Sequence, residues 1–525
     1  MTTIATFPRA FANAPGMKTT PEAVAGAKAH LSREGIQRDA MLRRAPASAA
    51  MLEYWDLTDT IVDGIAALRL AGQAYLPRFT DEEDTEYQFR LKMTKLTNVY
   101  RDTVEGLASK PFEQEVTLVA DENKAVPPEI EQFAEDVDGS GNNLTVFAGS
   151  TFFNGINSAI HWIFVDNPPK NPTVRSVADA KAAGLRPYWS HVLGRNVLDP
   201  RSKVINGKET LTYIRIFEPG KPDRIRIFER ADNGTINWTL LERGTEWRTI
   251  PEGETQFNEI DQGTIDIDQI PLVPFITGRR DGRSFRIFPT MRDAADLQIE
   301  LYQQESGLKF AKQLTAYPML TGNGVSPEKN PDNSIKRLAV GPSRVLYAPM
   351  SAASGTAGSW AYVEPSAQSL TFLAADIKET IMQLRELGRQ PLTAQSGNLT
   401  VITTAVAASK AKSAVKQWAY GLKDALENAM VLTCKFMNIN TETYDPTVGV
   451  YTEFDEFMEG KDLDALAAAR AAKDISRETY WDELKRRAVL SPEFDAETEE
   501  QRLLDELPGD GEDRNTLDTG PGNEQ

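Results

Sequence analysis

A mainly helical α+β fold is predicted by two features of the 525-residue sequence. Apolar residues recur at three- and four-residue steps between Met51 and Pro168, and again from about Pro289 onward, the spacing of amphipathic helices. Between these regions, from about Arg186 to Thr277, apolar and polar residues alternate around Asn-Gly pairs, the pattern of antiparallel strands. A chain of this length suffices for two to four domains and a large core.

Residues 1–50, rich in Ala, Pro, Thr and Arg, read as an N-terminal arm with one short helix near Pro21–Arg33. "MLEYWDLTDTIVDGIAALRLAGQAYL" then predicts amphipathic helix, and "DTEYQFRLKMTKLTNVYRDTVEGLASKPF" a longer one ended by Gly106 and Pro111. "LTVFAGSTFFNGINSAIHWIFVDNPP" reads as a third helical segment stopped by Pro168 and Pro169. Hairpins are expected at Asn206-Gly207 and Asn233-Gly234, and the β zone closes with "IPLVPF".

Helix resumes in "TMRDAADLQIELYQQESGLKFAKQLT", followed by a Gly/Pro/Ser-rich stretch, Ala316–Pro365, with short strands such as "SRVLYAPM". Leu370, Leu373, Ile377, Ile381, Leu384 and Leu387 form an apolar stripe, with Ser366 placed to cap its start and Gly388 to end it. A small polar loop follows. Then Val415, Trp418, Ala419, Leu422, Leu426, Ala429, Met430 and Thr433 trace a second stripe on a helix expected from Val401 to Met437, about 55 Å long. Asp462–Leu507 is helical again, with Ser476 or Asp474 as a cap.

Charge is unevenly placed. The net charge is −18, and Ser491–Gln525 holds twelve acidic and two basic residues, a net of −10. The last part, 508–525, reads as a disordered acidic tail. Val401–Lys435 runs the other way, with five lysines against Asp424 and Glu427. A tight nucleic-acid binder presents a dominant basic surface, so any contact with DNA is expected to be weak or transient. No run of eighteen apolar residues is present to span a membrane, and the N-terminus lacks the apolar core of a secretory signal. The single cysteine, Cys434, falls on an apolar helix face and reads as inert packing in a reducing cytoplasm.

The chain offers little catalytic chemistry. Gly207-Lys208 and Gly460-Lys461 lack the rest of a phosphate-binding loop, and no zinc-binding or nucleophile-elbow spacing occurs. His30, His161 and His191 are far apart in sequence, and His161 lies in apolar "AIHWIFV", where a core role is expected. Asp81, Glu82, Glu83 and Asp84 precede a helix, whose positive end they favour, as an alternative to binding a divalent ion. Asp261, Asp266 and Asp268 alternate as on a solvated strand; a carboxylate-dependent hydrolase would need two of them in one pocket. Lys410, Lys412, Lys416 and Lys423 fit either a solvated helix face, with Glu427 at i+4 from Lys423, or a face turned to a polyanion. No metal or cofactor is expected, and no enzymatic activity.

The ordered set of segments resembles the portal proteins of tailed bacteriophages, in particular a portal-like family known as a domain of unknown function. It is carried by "VEGLASKPF", by "GINSAIHWIFVDNPP", in which a helix would run into an apolar strand, by "MRDAADLQIELYQQESGLKFAKQLTAYPMLTGNG", and by "SLTFLAADIKETIMQLRELGRQPLTAQSGNLTVITTAVAASKAKSAVKQW". C-terminal helices in "DLDALAAARAAKDISRETYWDELKRRAVLSPEFDAETEEQRLLDE" complete it, so the match runs from about Met51 to Leu507. The family's Ser-Gly-x-Ala-Leu after the loop stands here as "SGNLTVITTAVA".

The resemblance implies a wing at 51–290 and 401–460, stem helices at 289–312 and 366–387, a clip at 313–365, a tunnel loop at 388–400 and crown-like helices at 462–507. It implies a closed ring of about twelve copies at one capsid vertex, passing double-stranded DNA without sequence preference. Partners would be the terminase large subunit, the head–tail adaptor, the major capsid protein and a scaffold, in a virion assembled in the host cytoplasm. Arg389, Gln390, Thr393, Gln395, Ser396 and Asn398 would line the channel, with Lys410, Lys412 and Lys416 facing it. Alternatives are another head–tail structural or scaffold protein, and the carboxylate-dependent hydrolase.

Overall fold

The computed structural model describes residues 39–80, 82–119, 125–168, 185–244, 254–265, 267–316, 319–323, 330–334, 359–363, 367–387, 401–440, 444–452 and 461–486, with 489–490, 494–495, 498–499 and 502. The expected N-terminal arm helix, "SRVLYAPM", Ser366, Gly388 and the acidic tail lie outside them. The fold is α+β. Up to Phe454 the chain forms one compact unit, and Asp455–Gln525 a second.

The first expected helix is two, α1 (Pro46–Asp63) and α2 (Ile65–Ala71). Gly64 separates them at φ 85, where a side chain would be strained. The next long helix is also two, α3 (Asp84–Met93) and α4 (Val99–Ser109), because Thr94–Asn98 leaves the helical path and Asn98 caps α4 by accepting from Arg101 N. Gly106 lies inside α4, and a 3₁₀ turn at Lys110–Phe112 takes the chain past Pro111. Strand β1 (Thr117–Val119) and helix α5 (Pro128–Glu135) follow.

The segment read as a third helix stops early. Helix α6 (Leu144–Ser158) ends at Ala159, φ 64, and strand β2 (Ile160–Asp166) begins at once. Ile163 and Val165 enter one core cluster, while Ile160, Trp162 and Phe164 enter another. A strand buried on both faces is apolar without alternation, so its period does not separate it from helix. The partners of β2 are β3 (Tyr188–Leu193) on one side and β9 (Leu272–Ile276) on the other, both antiparallel.

Between them, β4 (Val197–Ile205), β5 (Lys208–Glu218), β6 (Arg224–Arg230), β7 (Ile236–Arg243) and β8 (Phe257–Ile265) make a five-stranded antiparallel meander. Asn206 (φ 50) and Gly207 (φ 81) form the tight turn their sequence predicts. A small hairpin, β10 (Arg279–Arg280) with β11 (Ile287–Phe288), comes next.

Helix α7 (Arg292–Ala316) leads to β12 (Met319–Asn323), which pairs antiparallel with β13 (Ser359–Val363). Helix α8 (Ala367–Leu387) follows, then the 37-residue α9 (Val401–Met437), whose bounds match the expectation from apolar spacing. Strand β14 (Thr447–Gly449) returns to pair with β1.

The main core lies between the three-stranded sheet and helices α4, α6 and α9. Every residue of the predicted stripe from Val415 to Thr433 is buried. Trp189, fully buried, meets Phe133 and Phe147 edge-on at 5.4 Å and donates from Nε1 to Thr433 Oγ1 at 2.8 Å. Cys434 is buried in this core, and burial pushes its thiol up to about 11, the inert packing role expected. A second core fills the space between the other face of β2, α1 and the meander, with Trp55, Trp162, Ile214 and Phe228 at its centre.

The C-terminal unit contains α10 (Lys461–Ala471) and α11 (Arg477–Arg486). Ser476 caps α11, its Oγ accepting from Thr479 N at 3.0 Å, one of the two caps foreseen.

Candidate functional site

Helices α7 and α8 are joined through the β12–β13 pair, and they run antiparallel. Gln304 Nε2 donates to Asp376 Oδ2 at 3.0 Å, while Leu301, nearer the start of α7, packs with Leu384, nearer the end of α8. Ile377, Ile381 and Leu384 from the predicted stripe join Val99, Leu297 and Leu301 in a small apolar cluster. Leu373 and Phe372, toward the start of α8, stay 36% and 71% exposed. The pair is therefore held by the body at one end, while the apolar residues described near the start of α8 face solvent.

Apolar packing of Ala295, Leu301 and Tyr302 holds α7 to the body, and a polar seam is added to it. Gln298 and Glu305, two turns apart on one face, reach the non-helical Thr94–Asn98 segment. Gln298 Oε1 accepts from Tyr100 N at 2.9 Å and its Nε2 donates to Thr97 O at 3.0 Å. Glu305 Oε2 accepts from Thr97 N at 2.8 Å. Tyr100 N is one of the N–H groups that α4 cannot satisfy internally, so α7 completes the cap that Asn98 begins.

Beside this seam lies an ion pair with side chains only 2% and 3% exposed, Arg90 with Glu82. Arg90 Nε and Nη2 donate to the Glu82 carboxylate at 2.7 and 2.8 Å, Nη2 also donates to Pro77 O at 2.7 Å, and Nη1 reaches Ser306 Oγ on α7 at 3.4 Å. The guanidinium lies over Phe79, 4.1 Å from the ring centroid. Hydrogen bonding to Arg90 holds the Glu82 carboxyl below its ordinary range. The acidic run before α3 thus divides: Glu82 pairs with Arg90, Glu83 and Glu86 form a capping box, and Asp81 lies outside the described residues.

Helix α9 is fixed from Ala414 onward. Trp418 Nε1 donates to Thr277 O at 2.7 Å, and Glu427 Oε1 accepts from Val448 N at 3.0 Å. Lys435 Nζ contacts Asp268 Oδ1 at 2.6 Å, which holds that carboxyl below its usual range. Its outward face carries Lys416, Gln417, Tyr420, Asp424 and Asn428. Lys423 Nζ is 3.8 Å from Glu427 Oε1, the i+4 pairing foreseen. Lys416 is exposed. The side chains of Lys410 and Lys412 are outside the described residues, as are Arg389, Gln390, Thr393, Gln395, Ser396 and Asn398.

The structure brings together two residues that the sequence kept apart. His161 on β2 and His191 on β3 approach at 3.0 Å, Nε2 to Nδ1. Burial pushes His191 down to about 4, and burial followed by the charge of His191 pushes His161 well below its ordinary value. The His191 ring stacks on Phe147 at 4.0 Å, and His161 Nδ1 is buried without a partner. A neutral, enclosed pair of this kind fits the core role expected for His161.

The β-zone carboxylates do not form an acid–base pair among the described residues. Asp261 is exposed on β8 and caps Gln262 N, Asp268 is engaged by Lys435, and Asp266 lies outside them. Among the described residues there is no group of three or more His, Cys, Asp or Glu placed to hold a metal, and no helix is long and apolar enough to cross a membrane.

A family model described as a domain of unknown function, DUF4055, matches residues 290–437, the span from the entry to α7 through the end of α9. No curated protein matches the chain. Among solved structures, a chain of the virion of a native gene transfer agent particle is similar at 12% identity, covering 84% of this chain and 98% of its own, with a TM-score of 0.34. A chain from the neck of an empty particle of that kind gives 12% identity, the same coverage and 0.36. One from the neck of the native particle, computed with C12 symmetry, gives 10%, 78% and 90% coverage, and 0.33.

Proposed function

We propose that this chain is the portal subunit of a tailed phage or phage-like particle, a ring component through which double-stranded DNA enters and leaves the capsid. The observation that carries the reading is the ordered unit α7, β12–β13, α8, residues 388–400, α9. An antiparallel helix pair bears a strand pair beyond its far end. At the near end, thirteen residues connect it to a helix anchored in the main core. Thirteen residues reach at most about 45 Å, enough for a loop that projects beyond both helix ends.

In this reading α7 and α8 are the stem, β12–β13 belongs to the clip that meets the terminase large subunit and then the head–tail adaptor, and 388–400 is the channel loop. Arg389, Gln390, Thr393, Gln395, Ser396 and Asn398 would meet phosphates through hydrogen bonds, with Lys410, Lys412 and Lys416 on the channel side of α9. The acidic balance of the chain favours passage over retention of DNA.

Light scattering and negative-stain microscopy on one purified sample test this. The expected particle is a closed ring with a central hole, of roughly 700 kDa for about twelve copies of the 58.2 kDa chain. A stable dimer or compact tetramer would overturn the reading.

A further inference from the structure

In a chain of net charge −18, one surface runs the other way. The β10–β11 hairpin carries Arg279, Arg280, Arg283 and Arg286 against Asp281. The strand register sets Arg279 opposite Phe288. Arg279 and Arg286 both lie over the Phe288 ring, 4.6 and 5.3 Å from its centroid, and Phe288 is itself 38% exposed. An aromatic ring orders guanidinium groups without neutralising them, so two full charges are kept at the surface in restricted orientations.

Arg280 has a different task. It donates to both carboxylate oxygens of Glu209 at 2.9 and 2.6 Å, which clamps the β4–β5 turn beside the β10–β11 turn. With Arg280 and Glu209 cancelling, the hairpin presents Arg279, Arg283 and Arg286 against Asp281, which lies 3.9 Å from Arg286. The remaining charge of this hairpin is +2.

We propose that this arginine hairpin binds the phosphate backbone of duplex DNA without reading bases. Guanidinium forks match phosphate oxygens in geometry, and three exposed arginines on one clamped hairpin offer several such contacts at once. The assignment goes beyond the portal reading and does not rest on it, since it needs only one folded chain and no ring.

The test is fluorescence anisotropy of a labelled 30-base-pair duplex with the full chain, titrated across salt. The variant is Arg279→Gln/Arg283→Gln/Arg286→Gln, all at exposed positions, with its melting curve checked against wild type. Lys92→Gln/Lys95→Gln/Arg101→Gln makes the same charge change on α3, α4 and the segment between them. Each phosphate contact contributes about −0.9 to the slope of log K against log salt. The hairpin variant is therefore expected to lose 2 to 3 of that slope and about tenfold or more in affinity near 50 mM salt, while the other variant stays within about twofold. Equal weakening of both variants, or no salt-dependent binding by wild type, overturns the assignment. So does tighter binding of a peptide of residues 491–525 than of the duplex at the same salt, which would give the surface to the chain's own acidic segment. Ring imaging bears on none of these outcomes, so failure here and failure of the portal reading are separable.

Discussion

Replacing Glu82 by Gln isolates the energetics of the seam between α3 and α7. The carboxylate receives Arg90 Nε and Nη2 and also Phe79 N, at 2.7, 2.8 and 3.0 Å, and its side chain is 3% exposed. A glutamine keeps the volume but turns an NH₂ group toward a guanidinium that stays charged and buried. Breaking one side of such a pair costs about 3–5 kcal/mol, whereas an exposed pair is worth about 0–1. The contacts of Arg90 to Pro77 O and the Phe79 ring survive, so the lower end, about 3 kcal/mol, is expected. Because Arg90 also reaches Ser306, the loss is concentrated where α7 meets the body. Amide hydrogen exchange read peptide by peptide should show α7 around Leu301–Ser306 losing roughly two orders of magnitude of protection, with β6 and β7 unchanged. The double variant Glu82→Leu/Arg90→Leu should recover part of the loss, since it leaves no unpaired charge. A change below about fivefold in α7, or a loss spread evenly over the unit, would refute the assignment of Arg90 and Glu82 as a buried anchor.

The remaining predictions concern the core. Gly155 on α6 lies against the fully buried Phe275 ring, where a Cβ would stand 2.2 Å from Cε1; Gly155→Ala is therefore expected to destabilise by about 1–3 kcal/mol, seen as a lower thermal midpoint. His161 and His191 both have depressed folded-state values, so unfolding takes up protons. Stability is then full above the unfolded value near 6.5 and falls as the pH drops toward about 4, where the His191 contribution, about 3 kcal/mol, is spent. In His191→Gln the decline in thermal midpoint between pH 6.5 and 4 should be shallower than in wild type, and parallel curves would count against a buried neutral pair.

Much of this architecture was legible because long amphipathic helices declare themselves. The α9 stripe repeats over eight positions from Val415 to Thr433, and a period sustained that far has one helical solution. Asn206-Gly207 was equally plain, since both residues take positive φ. The break after α6 was not. Ile160–Val165 is buried from both sides, and only the flanking strands β3 and β9 make it extended. The same limit hid the histidine pair. His161 is opposite Leu193 and His191 opposite Ile163, so the two meet diagonally once a register is fixed by residues 30 positions apart. Asp268 looked like a solvated strand carboxylate, because its partner Lys435 stands 167 residues away. Four arginines in ten residues carry no signal in the sequence until Glu209 and Phe288 show which are neutralised and which are held in the open.

The hydrogen-bonded contact between α7 and Thr94–Asn98 has a mechanical consequence. An apolar helix interface creeps under axial load, because methyl groups exchange one neighbour for another at little cost. Here a shift of one residue would move Gln298 and Glu305 about 1.5 Å along the axis and turn them by about 100°, taking both from their acceptors and donors together. The hydrogen-bonded part of the joint is therefore lost as a set rather than bond by bond. Traction applied along α7 would reach the start of α4 through these bonds together with the packing of Leu297 and Leu301 against Val99, and through α4 the core.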